Sequence, residues 1–554
     1  MDTTGDDAIA VAYFSQAGII SQNIIFRPGQ FPTYDQVSDG TLVQAGGGGI
    51  RFNGRQTVTD NQVFDANLFF LAAATYSRNL LAAPNQALIT GNVGRGIKPT
   101  INNTTACVLV KSVESLTIGI NDFDAVGDNV FAIQSIGDNG AGKVRIVTTA
   151  PHGFYVNNQV RFESAAGKGS VSPVTAIPDA YTMDLATNWV AAAYGGATTC
   201  FPAINGLRIY TDTRQVQSVT DNGSGKVRVT LVPIAAGGTV ANAYETGMTV
   251  RLVDAGGITN GASLITVISA NVFDMTGLAY TGAYTSGGST YDVASRSRSV
   301  TVRGPKFRNI ETTIACRGGG AAILDVEDVE AINYTYFFGP AQNPQIIELK
   351  LNRNTCRNPR TVSGTDAASG LALALTGALF YGGGAINSAT CVKIEINENE
   401  VVAGAFGMFN APIDFTNMAA ARAEALGNKL GGATNSFLAA GNIPNIPVAS
   451  GGGPFVFDGD WAETMHFATT FTIPAGQTTS GPILHVLPRT PRASSFTLQK
   501  ASAGTSPGGG SLSLEYITST SFAVRCETAP TSAVTGYAGI NPMPRPYFNN
   551  ATGA

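Results

Sequence analysis

The sequence predicts an all-β chain whose centre is a coiled solenoid of stacked strands. Short apolar strands recur through the middle of the chain at intervals of 21 to 24 residues, at 300–302, 324–326, 347–349, 371–373 and 392–394. A strand that returns every two dozen residues, each time before a turn-rich stretch, is typical of a solenoid. One coil cannot bury its apolar face alone, so each coil stacks on the next.

The composition agrees with β-structure and excludes several classes of function. Charged residues make up 13% of the 554 residues, hydrophobic residues make up 44%, and there are 65 glycines. Few charges with many glycines favour strands and tight turns over long surface helices. The net charge of −4 gives no broad basic field, so no nucleic-acid partner is expected. No run of 18 apolar residues exists, so no membrane insertion is expected.

A second repeat indicates two inserted modules. Residues 134–146 recur as 217–229 with nine of thirteen positions identical. Each copy reads as strand, Asn-Gly turn and strand, and we expect a type I′ hairpin because Asn-Gly tolerates positive φ angles. Further strands follow each hairpin, at 160–162 and 181–185 in the first copy and at 250–252 and 273–276 in the second. The pattern predicts two small β-barrel-like modules.

These patterns divide the chain into seven segments. They are an N-terminal cap region (1–105), the first solenoid coils (106–133), module 1 (134–203), one further coil (204–216), module 2 (217–297), the main solenoid (298–448) and a C-terminal β-sandwich (449–554). Helices are expected at 67–83 and 417–427, where Ala-rich runs follow an Asn cap. The sandwich rests on alternating strands at 467–473, 483–487, 496–498, 512–516 and 522–526.

The outward positions of the solenoid strands carry a row of mixed charges. The row consists of Arg303, Asp325, Glu327, Glu348, Lys350, Lys393 and Glu395. Mixed signs favour a solvated salt-bridge ladder, in which each pair contributes little stability. The catalytic alternative makes Asp325, Glu327 and Glu348 a carboxylate cluster for glycan cleavage, because glycosidases need two carboxylates several ångströms apart.

Other candidate residues are few. Trp189 and Trp461 are either core residues or platforms for a sugar ring. His152 is expected in a turn. His466 and His485, near Glu463, leave open a metal site or an acid–base pair in the last segment. No zinc motif, nucleotide-binding loop or other catalytic signature is present, so no metal and no cofactor are expected.

Cysteines and asparagines predict structural roles inside the solenoid. The six cysteines are far apart and form no CxxC pair, so buried free thiols are expected, with a bridge such as Cys356 to Cys391 as the alternative. Asn309, Asn354 and Asn399 recur at intervals of 45 residues, which are expected to be two coils each. We expect them to stack at one bend and to bond backbone groups there, with ordinary turn asparagines as the alternative.

Two resemblances give these patterns a biological setting. The run Ala150-Pro151-His152-Gly153-Phe154, followed by Val160, makes module 1 similar to small β-modules that resemble the first catalytic-cysteine half-domain of ubiquitin-activating enzymes and that also occur in phage tail proteins. Module 2 lacks the His-Gly pair and is assigned by its similarity to module 1. The whole pattern resembles bacteriophage tail spikes and tail fibres. That resemblance implies a right-handed parallel β-helix of the pectate-lyase kind, two inserted β-modules and a C-terminal β-sandwich.

The resemblance also implies partners and a location. A homotrimer is expected, attached through the N-terminal region to tail, baseplate or neck proteins and binding a host-surface glycan. The acidic first seven residues lack the basic region of a signal peptide, so synthesis in the host cytoplasm and assembly into the virion are expected. Three alternatives stay open at this point: a polysaccharide depolymerase (a glycoside hydrolase or a polysaccharide lyase) on the same scaffold, a neck or capsid appendage, and a bacterial surface adhesin.

Overall fold

The fold is taken from a computed structural model. The structure describes residues 7–11, 17–28, 34–36, 42–44, 48–74, 85–98, 105–164, 168–211, 214–232, 244–317, 320–341, 346–365, 372–376, 378–381, 393–402, 413–414, 422–425, 428–431, 455–457, 467–484, 496–500, 512–517, 521–526, 529 and 533–540. Its secondary structure is almost entirely β, with one short α-helix, α1 (Ala191–Tyr194), and one 3-10 helix (Val293–Ser295) among these residues. No helix in the described part of the chain is long and apolar enough to cross a membrane.

Three parallel sheets form the body of the molecule, and the chain visits sheet 1, sheet 2 and sheet 3 in turn. Sheet 1 comprises β1 (Ile9–Val11), β6 (Ile50–Phe52), β9 (Leu71–Ala74), β12 (Ala106–Lys111), β21 (Asn205–Tyr210), β30 (Thr312–Arg317), β33 (Tyr336–Ala341), β38 (Ala378–Tyr381) and β41 (Ile413–Asp414). Sheet 2 comprises β2 (Gly18–Ser21), β7 (Gln56–Thr59), β10 (Ala87–Thr90), β13 (Ser115–Ile118), β28 (Ser297–Arg303), β31 (Ala321–Glu327), β34 (Glu348–Asn352), β39 (Lys393–Asn397), β42 (Arg422–Ala425) and β44 (Phe455–Phe457). Sheet 3 comprises β3 (Ile24–Phe26), β8 (Gln62–Ala66), β11 (Val93–Ile97), β14 (Asp122–Asp124), β29 (Lys306–Arg308), β32 (Glu330–Ile332), β35 (Thr355–Arg357), β40 (Glu400–Val402) and β43 (Lys429–Gly431). This is a parallel β-helix, as expected.

The interior of the β-helix is a stack of aligned apolar side chains. One in-register row of sheet 2 consists of Ile20, Val58, Ile89, Ile118, Val302, Val326, Leu351 and Ile396. All are buried, because alternate residues of a strand point to the same face. In sheet 3, Phe123 stacks between Phe70 and Phe307, with ring centroids 5.8 and 5.7 Å apart. Gly94 is needed beside them, since a Cβ there would lie 2.3 Å from the Phe70 ring.

Two ladders of buried asparagine side chains line the bend between sheets 2 and 3. In the first, Asn61 Nδ2 donates to Asn92 Oδ1 and Asn92 Nδ2 donates to Asn121 Oδ1, both at 2.9 Å. In the second, Asn354 Nδ2 donates to Asn399 Oδ1 at 2.9 Å and Asn399 Nδ2 donates to the next asparagine, 29 residues on, at 2.8 Å. The same side chains bond main-chain groups of adjacent coils, so the bend keeps its backbone paired.

The predicted asparagine stack is therefore right for two residues and wrong for one. Asn354 and Asn399 are neighbours in the ladder. Asn309 lies at the other end of sheet 3, where its Nδ2 donates to Asp124 Oδ1 at 2.9 Å. The interval of 45 residues between Asn354 and Asn399 is also one coil, not two, because a hairpin is inserted between them.

Three further expectations are corrected. The β-helix begins at β1, so the strands β1 to β3 and β6 to β11 contribute coils within the region predicted as a cap. The predicted helix at 67–83 contains β9, and residues 75–84 lie outside the described residues. The predicted helix at 417–427 contains β42, which pairs with β39 in sheet 2. In these runs the pairing with adjacent coils overrides the helix propensity of alanine.

The predicted coil strand at 371–373 belongs instead to a hairpin. Its described residues lie in β37 (Ala372–Thr376), which pairs antiparallel with β36 (Thr361–Thr365). The hairpin leaves the β-helix between sheets 3 and 1, and β36 joins a strand of module 1 in parallel. The strand predicted at 204–210 does form a coil strand, β21.

Both predicted modules form small closed barrels, here called barrel 1 and barrel 2. Barrel 1 consists of β15 (Phe131–Asp138), β16 (Lys143–Thr148), β17 (Gln159–Glu163), β18 (Lys168–Ala176), β19 (Thr182–Asn188) and β20 (Thr199–Pro202). Barrel 2 consists of β22 (Arg214–Asp221), β23 (Lys226–Leu231), β24 (Thr249–Ala255), β25 (Gly261–Ser269), β26 (Val272–Ala279) and β27 (Gly287–Asp292). Strand order around each barrel is first, second, fifth, fourth, third and sixth, so the two have one topology. They occupy the corners on either side of β21.

The turn at the repeated hairpin differs from the predicted type I′ turn. Four residues separate β15 from β16, and the positive φ angles fall on Gly140 and Gly142 rather than on Asn139. Asp138 Oδ1 accepts hydrogen bonds from both glycine N–H groups, at 2.8 and 2.9 Å. The second copy repeats this geometry at Asp221. Side-chain acceptors close the loop, which explains why the Asp-Asn pair recurs.

The C-terminal residues form two antiparallel sheets of three strands. The first comprises β45 (Phe467–Ile473), β50 (Val534–Ile540) and β47 (Phe496–Lys500), and the second β46 (Ile483–Leu484), β49 (Ser521–Cys526) and β48 (Leu512–Ile517). Phe471 and Ile473 from the first sheet share an apolar cluster with Phe522 and Val524 from the second. A separate antiparallel pair, β4 (Tyr34–Gln36) and β5 (Leu42–Gln44), completes the strands of the described residues.

Candidate functional site

The charged row predicted on the outer face of sheet 2 is present. Asp325 lies beside Lys350 in register, and Lys350 lies beside Glu395. Arg303 Nη2 donates to Asp325 Oδ2 at 2.8 Å, and the same guanidinium pairs with Glu327. The row is therefore a ladder of ion pairs that runs from coil to coil.

The three predicted catalytic carboxylates do not form an open acid–base pair. Glu327 Oε2 also accepts from Arg353 Nη2 at 2.6 Å, so two arginines hold this carboxylate. Glu348 aligns with Ile323, two positions from Asp325 and one coil further along, which puts its Cα roughly 8 Å from that of Asp325. Arg303 already neutralises the carboxylate of Asp325.

The other predicted candidates have structural surroundings where they are described. Trp189 is half-buried and packs against the core of barrel 1, whereas Trp461, His466 and His485 lie outside the described residues. His152 is 2% exposed, and its Nδ1 accepts from Phe154 N at 3.0 Å. Burial lowers the pKa of this imidazole, which favours the neutral ring. No cluster of three or more metal-ligating side chains occurs in the part of the chain that the structure describes.

The cysteines within the described ranges are buried free thiols. These are Cys107, Cys200, Cys316, Cys356 and Cys526, while Cys391 lies outside the described residues. Burial raises the pKa of both Cys200 and Cys316 to about 12. Thiols this far from ionisation are poor nucleophiles, so these side chains act as small core residues.

A buried ionic cluster, which the sequence did not reveal, joins barrel 1 to the β-helix. Arg161 on β17 is fully buried, and its Nε donates to Glu163 Oε2 at 2.6 Å. Its Nη1 reaches into the β-helix, to Glu311 Oε2 at 3.2 Å and Thr335 Oγ1 at 3.0 Å. Arg360, next to β36, completes the cluster with its Nε 3.6 Å from Glu163 Oε2.

This junction cluster balances its own charge. Two arginines face two glutamates, so no net charge is buried. Removing one partner of a buried ion pair would leave an uncompensated charge in the interior. Burial lowers the pKa of Arg360 to about 10, and its guanidinium carbon lies 4.7 Å from the centre of the Phe201 ring. The cluster fixes how barrel 1 sits on the β-helix, together with the pairing of β18 with β36.

Comparison with solved structures finds phage tailspikes. The chain is similar to the tailspike protein gp49 of Pseudomonas phage LKA1 (11% identity, 89% of this chain and 90% of that one, TM-score 0.15). It is also similar to tailspike gp61 of Pseudomonas phage phi297 (10% identity, 82% and 90%, TM-score 0.16). A third is the gp54 tailspike of Acinetobacter baumannii bacteriophage AP22, solved with A. baumannii capsular saccharide (7% identity, 82% and 91%, TM-score 0.15).

Sequence comparisons add no relative. No protein-family model matches the chain. No curated protein matches it either. Each TM-score is below 0.5, so function has to be argued from the geometry of this chain.

Proposed function

We propose that the chain is a structural protein of a bacteriophage virion, a tail spike or tail fibre that binds a polysaccharide or another receptor on the host surface. The observation that carries the proposal is the parallel β-helix itself. Its ten-stranded sheet is roughly 40 Å long at about 4.8 Å per strand, and one apolar core runs along it from Ile20 on β2 to Ile396 on β39. Such a rod suits a part that must hold a binding surface away from a particle.

The proposal has finer parts. The β-helix is right-handed, and the two C-terminal sheets pack as a sandwich that supports a homotrimer. The barrels are related to the modules that resemble the first catalytic-cysteine half-domain of ubiquitin-activating enzymes. The N-terminal region contacts tail, baseplate or neck proteins, and the protein is made in the host cytoplasm before it joins the virion.

Receptor binding is tested with the full chain on an array of purified bacterial capsular polysaccharides and lipopolysaccharide O-antigens. We expect saturable binding to one polysaccharide or to a few with a shared repeat unit. Bovine serum albumin carrying the same fluorescent label is the control for adhesion to the slide. A chain that binds none of the arrayed polysaccharides above this control contradicts the assignment as a glycan-binding protein.

Assembly and location have their own test. Light scattering should give a mass of about 172 kDa, three times the 57.2 kDa of one chain. Immunogold labelling of virions that encode the chain should place gold on the tail. A monomeric mass would remove the trimer from the proposal, and gold on the capsid or neck would move the protein to another appendage.

A depolymerase on the same scaffold is the second candidate, because Asp325 and Glu327 point outward from one strand. A reducing-end assay on the polysaccharide that binds best tests it, with Asp325→Ala, Glu327→Ala and Glu348→Ala as variants. The ion pairs of Arg303 favour binding without cleavage, so we expect no activity above the blank. Activity that one of these variants abolishes would establish the enzyme.

A further inference from the structure

The two barrels provide an internal comparison, because one backbone topology carries two different surfaces. Barrel 1 has a loop end formed by residues 149–158 and 177–181, where the two loops meet. His152 N donates to Ala180 O at 3.1 Å, and Thr148 N donates to Tyr181 O at 2.9 Å. In barrel 2 the corresponding bond runs from Leu231 N to Asn271 O at 2.8 Å.

The same comparison aligns the last four residues of the longer loop, 155–158 in barrel 1 with 245–248 in barrel 2. In barrel 1, Asn158 N donates to Tyr155 O at 3.0 Å, and Asn157 has a φ of 73°. In barrel 2, Met248 N donates to Glu245 O at 3.1 Å, and Gly247 has a φ of 93°. Three positions therefore correspond, as Tyr155 with Glu245, Val156 with Thr246 and Tyr181 with the partly buried Asn271.

Barrel 1 is apolar at these three positions, and barrel 2 is polar. Tyr155, Val156 and Tyr181 are 40%, 45% and 46% exposed. Barrel 2 forms a barrel of the same topology with Glu, Thr and Asn at these positions, so folding does not require apolar side chains at them. Tyrosine is enriched at binding surfaces because its ring is apolar and its hydroxyl can form hydrogen bonds. The three residues are called the tyrosine patch.

The tyrosine patch is held in place from below. Phe154 lies in the barrel core, with its ring 5.5 Å from that of Phe131 and 5.6 Å from that of His152. Tyr155 N donates to Asn158 Oδ1 at 2.8 Å, and Tyr181 N donates to Asp179 Oδ1 at 2.7 Å. Both loops are therefore bonded in one conformation, and a ligand would meet a preorganised surface.

We propose that the tyrosine patch is the point at which barrel 1 stacks against the apolar face of an uncharged sugar ring of the host polysaccharide. This inference rests on the proposed function. Its three side chains expose roughly 250 Å², well below the ~800 Å² that each partner of a stable protein interface contributes. A surface of this size fits one or two sugar rings.

The charges of the loop end agree with that ligand. Asp179 is the one charged residue in the two loops, and hydrogen bonds from Tyr181 and Thr182 lower the pKa of its carboxyl. Neither loop holds a lysine or an arginine, so nothing there attracts an anionic ligand such as nucleic acid. Aromatic faces with a few polar groups beside them are the usual makeup of a small-ligand site.

The test transfers the surface of barrel 2 to barrel 1 in the full chain. The variant carries Tyr155→Glu, Val156→Thr and Tyr181→Asn, the residues found at the corresponding positions of barrel 2. The matched control carries Leu264→Thr and Ile268→Thr, which remove side chains of similar exposure (54% and 51%) from barrel 2. The probe is the arrayed polysaccharide that the unmodified chain binds best, and melting temperatures check that both variants are folded.

We expect the barrel 1 variant to lose at least tenfold in affinity and the control to change less than twofold. Equal affinity of the folded barrel 1 variant and the unmodified chain would overturn the inference and leave the proposed function standing. Equal losses in both variants would also overturn it, because the effect would not belong to the tyrosine patch. An unmodified chain that binds no polysaccharide would refute the glycan-binding part of the proposed function, and this inference would be refuted with it.

Discussion

The junction cluster gives the sharpest prediction about stability, through the substitution Glu311→Gln. This change keeps the size of the side chain but removes one of the two negative charges that face Arg161 and Arg360. Arg161 is fully buried and cannot regain water without moving barrel 1 away from the β-helix. The substitution therefore leaves a net positive charge inside the junction.

The size of the effect on stability follows from the contacts that Arg161 keeps in the variant. Breaking a buried pair by removing one partner costs about 3–5 kcal/mol. Glu163 still accepts from Arg161 at 2.6 Å, and Glu311 is 13% exposed, so the lower end of that range applies. About 3 kcal/mol corresponds to a population of undocked barrel 1 raised about 100-fold.

Hydrogen exchange measured by mass spectrometry reads this out locally. Lys168 and Gly169 pair with Thr361 and Val362 across the junction, so undocking exposes these amides while leaving the barrel closed. We expect the amides at 168–169 and 361–362 that bond across the junction, resolved from overlapping peptides, to exchange about 100-fold faster in Glu311→Gln. Local opening of this kind does not require global unfolding.

A surface pair supplies the matched control. Arg298 Nη1 lies 2.8 Å from Glu114 Oε1, with side chains 73% and 40% exposed, so Glu114→Gln removes the same charge from a solvated site. Exposed pairs contribute little, and we expect no change in exchange. If exchange across the junction in Glu311→Gln stays within twofold of the unmodified chain, the cluster does not hold barrel 1 in place and the reasoning is wrong.

Three further predictions follow from single contacts. Asn61→Ala should lower the free energy of unfolding by about 2–4 kcal/mol, because the partly buried Asn23 N and the buried Ile20 O lose their side-chain partner. A melting temperature equal to that of the unmodified chain would contradict the ladder. Arg145 lowers the pKa of Asp184, so this pair stabilises barrel 1 above the unfolded carboxyl pKa of about 3.9 and loses its contribution as the pH falls through the lower folded value. Acid unfolding followed by near-ultraviolet circular dichroism should therefore be less steep in Asp184→Asn, and an identical profile would argue against the pair. Cys316 should resist iodoacetamide at pH 8 in the folded chain and react in 6 M guanidinium, because burial raises its pKa to about 12. Peptide mass spectrometry would show the difference, and labelling of the native protein would contradict the prediction.

The sequence was informative where coils repeat without interruption and misleading where they do not. From β28 to β34 each coil adds about two dozen residues, and the period is visible by eye. The N-terminal coils are longer and contain runs such as 67–74, whose Leu, Phe and Ala residues suit a helix equally well. Only the adjacent strands β6 and β12 make β9 a strand, and pairing over that distance leaves no local pattern.

The junction cluster could not be predicted from the sequence, for a related reason. Arg161 and Glu163 alternate with the core residues Val160 and Phe162, so their shared outer face could have been predicted from the period of two. Their partner Glu311 is 150 residues from Arg161, and no local signal connects the two. By contrast, the charged row of sheet 2 was predictable because its partners lie one coil apart at a fixed period.

The internal repeat is most informative about function at the positions where its two copies differ. The identical Asp-Asn-Gly turns, and the pairs Arg145–Asp184 and Arg228–Asp274, hold the same hairpin in both barrels, at 2.6 Å in each pair. Identity at these positions is explained by folding and says nothing about a ligand. At the loop end matching backbone hydrogen bonds are kept while Tyr155, Val156 and Tyr181 stand in place of polar residues, and folding does not explain that change. Candidate functional residues of this chain are therefore better sought at positions where the two barrels differ than at positions where they are identical.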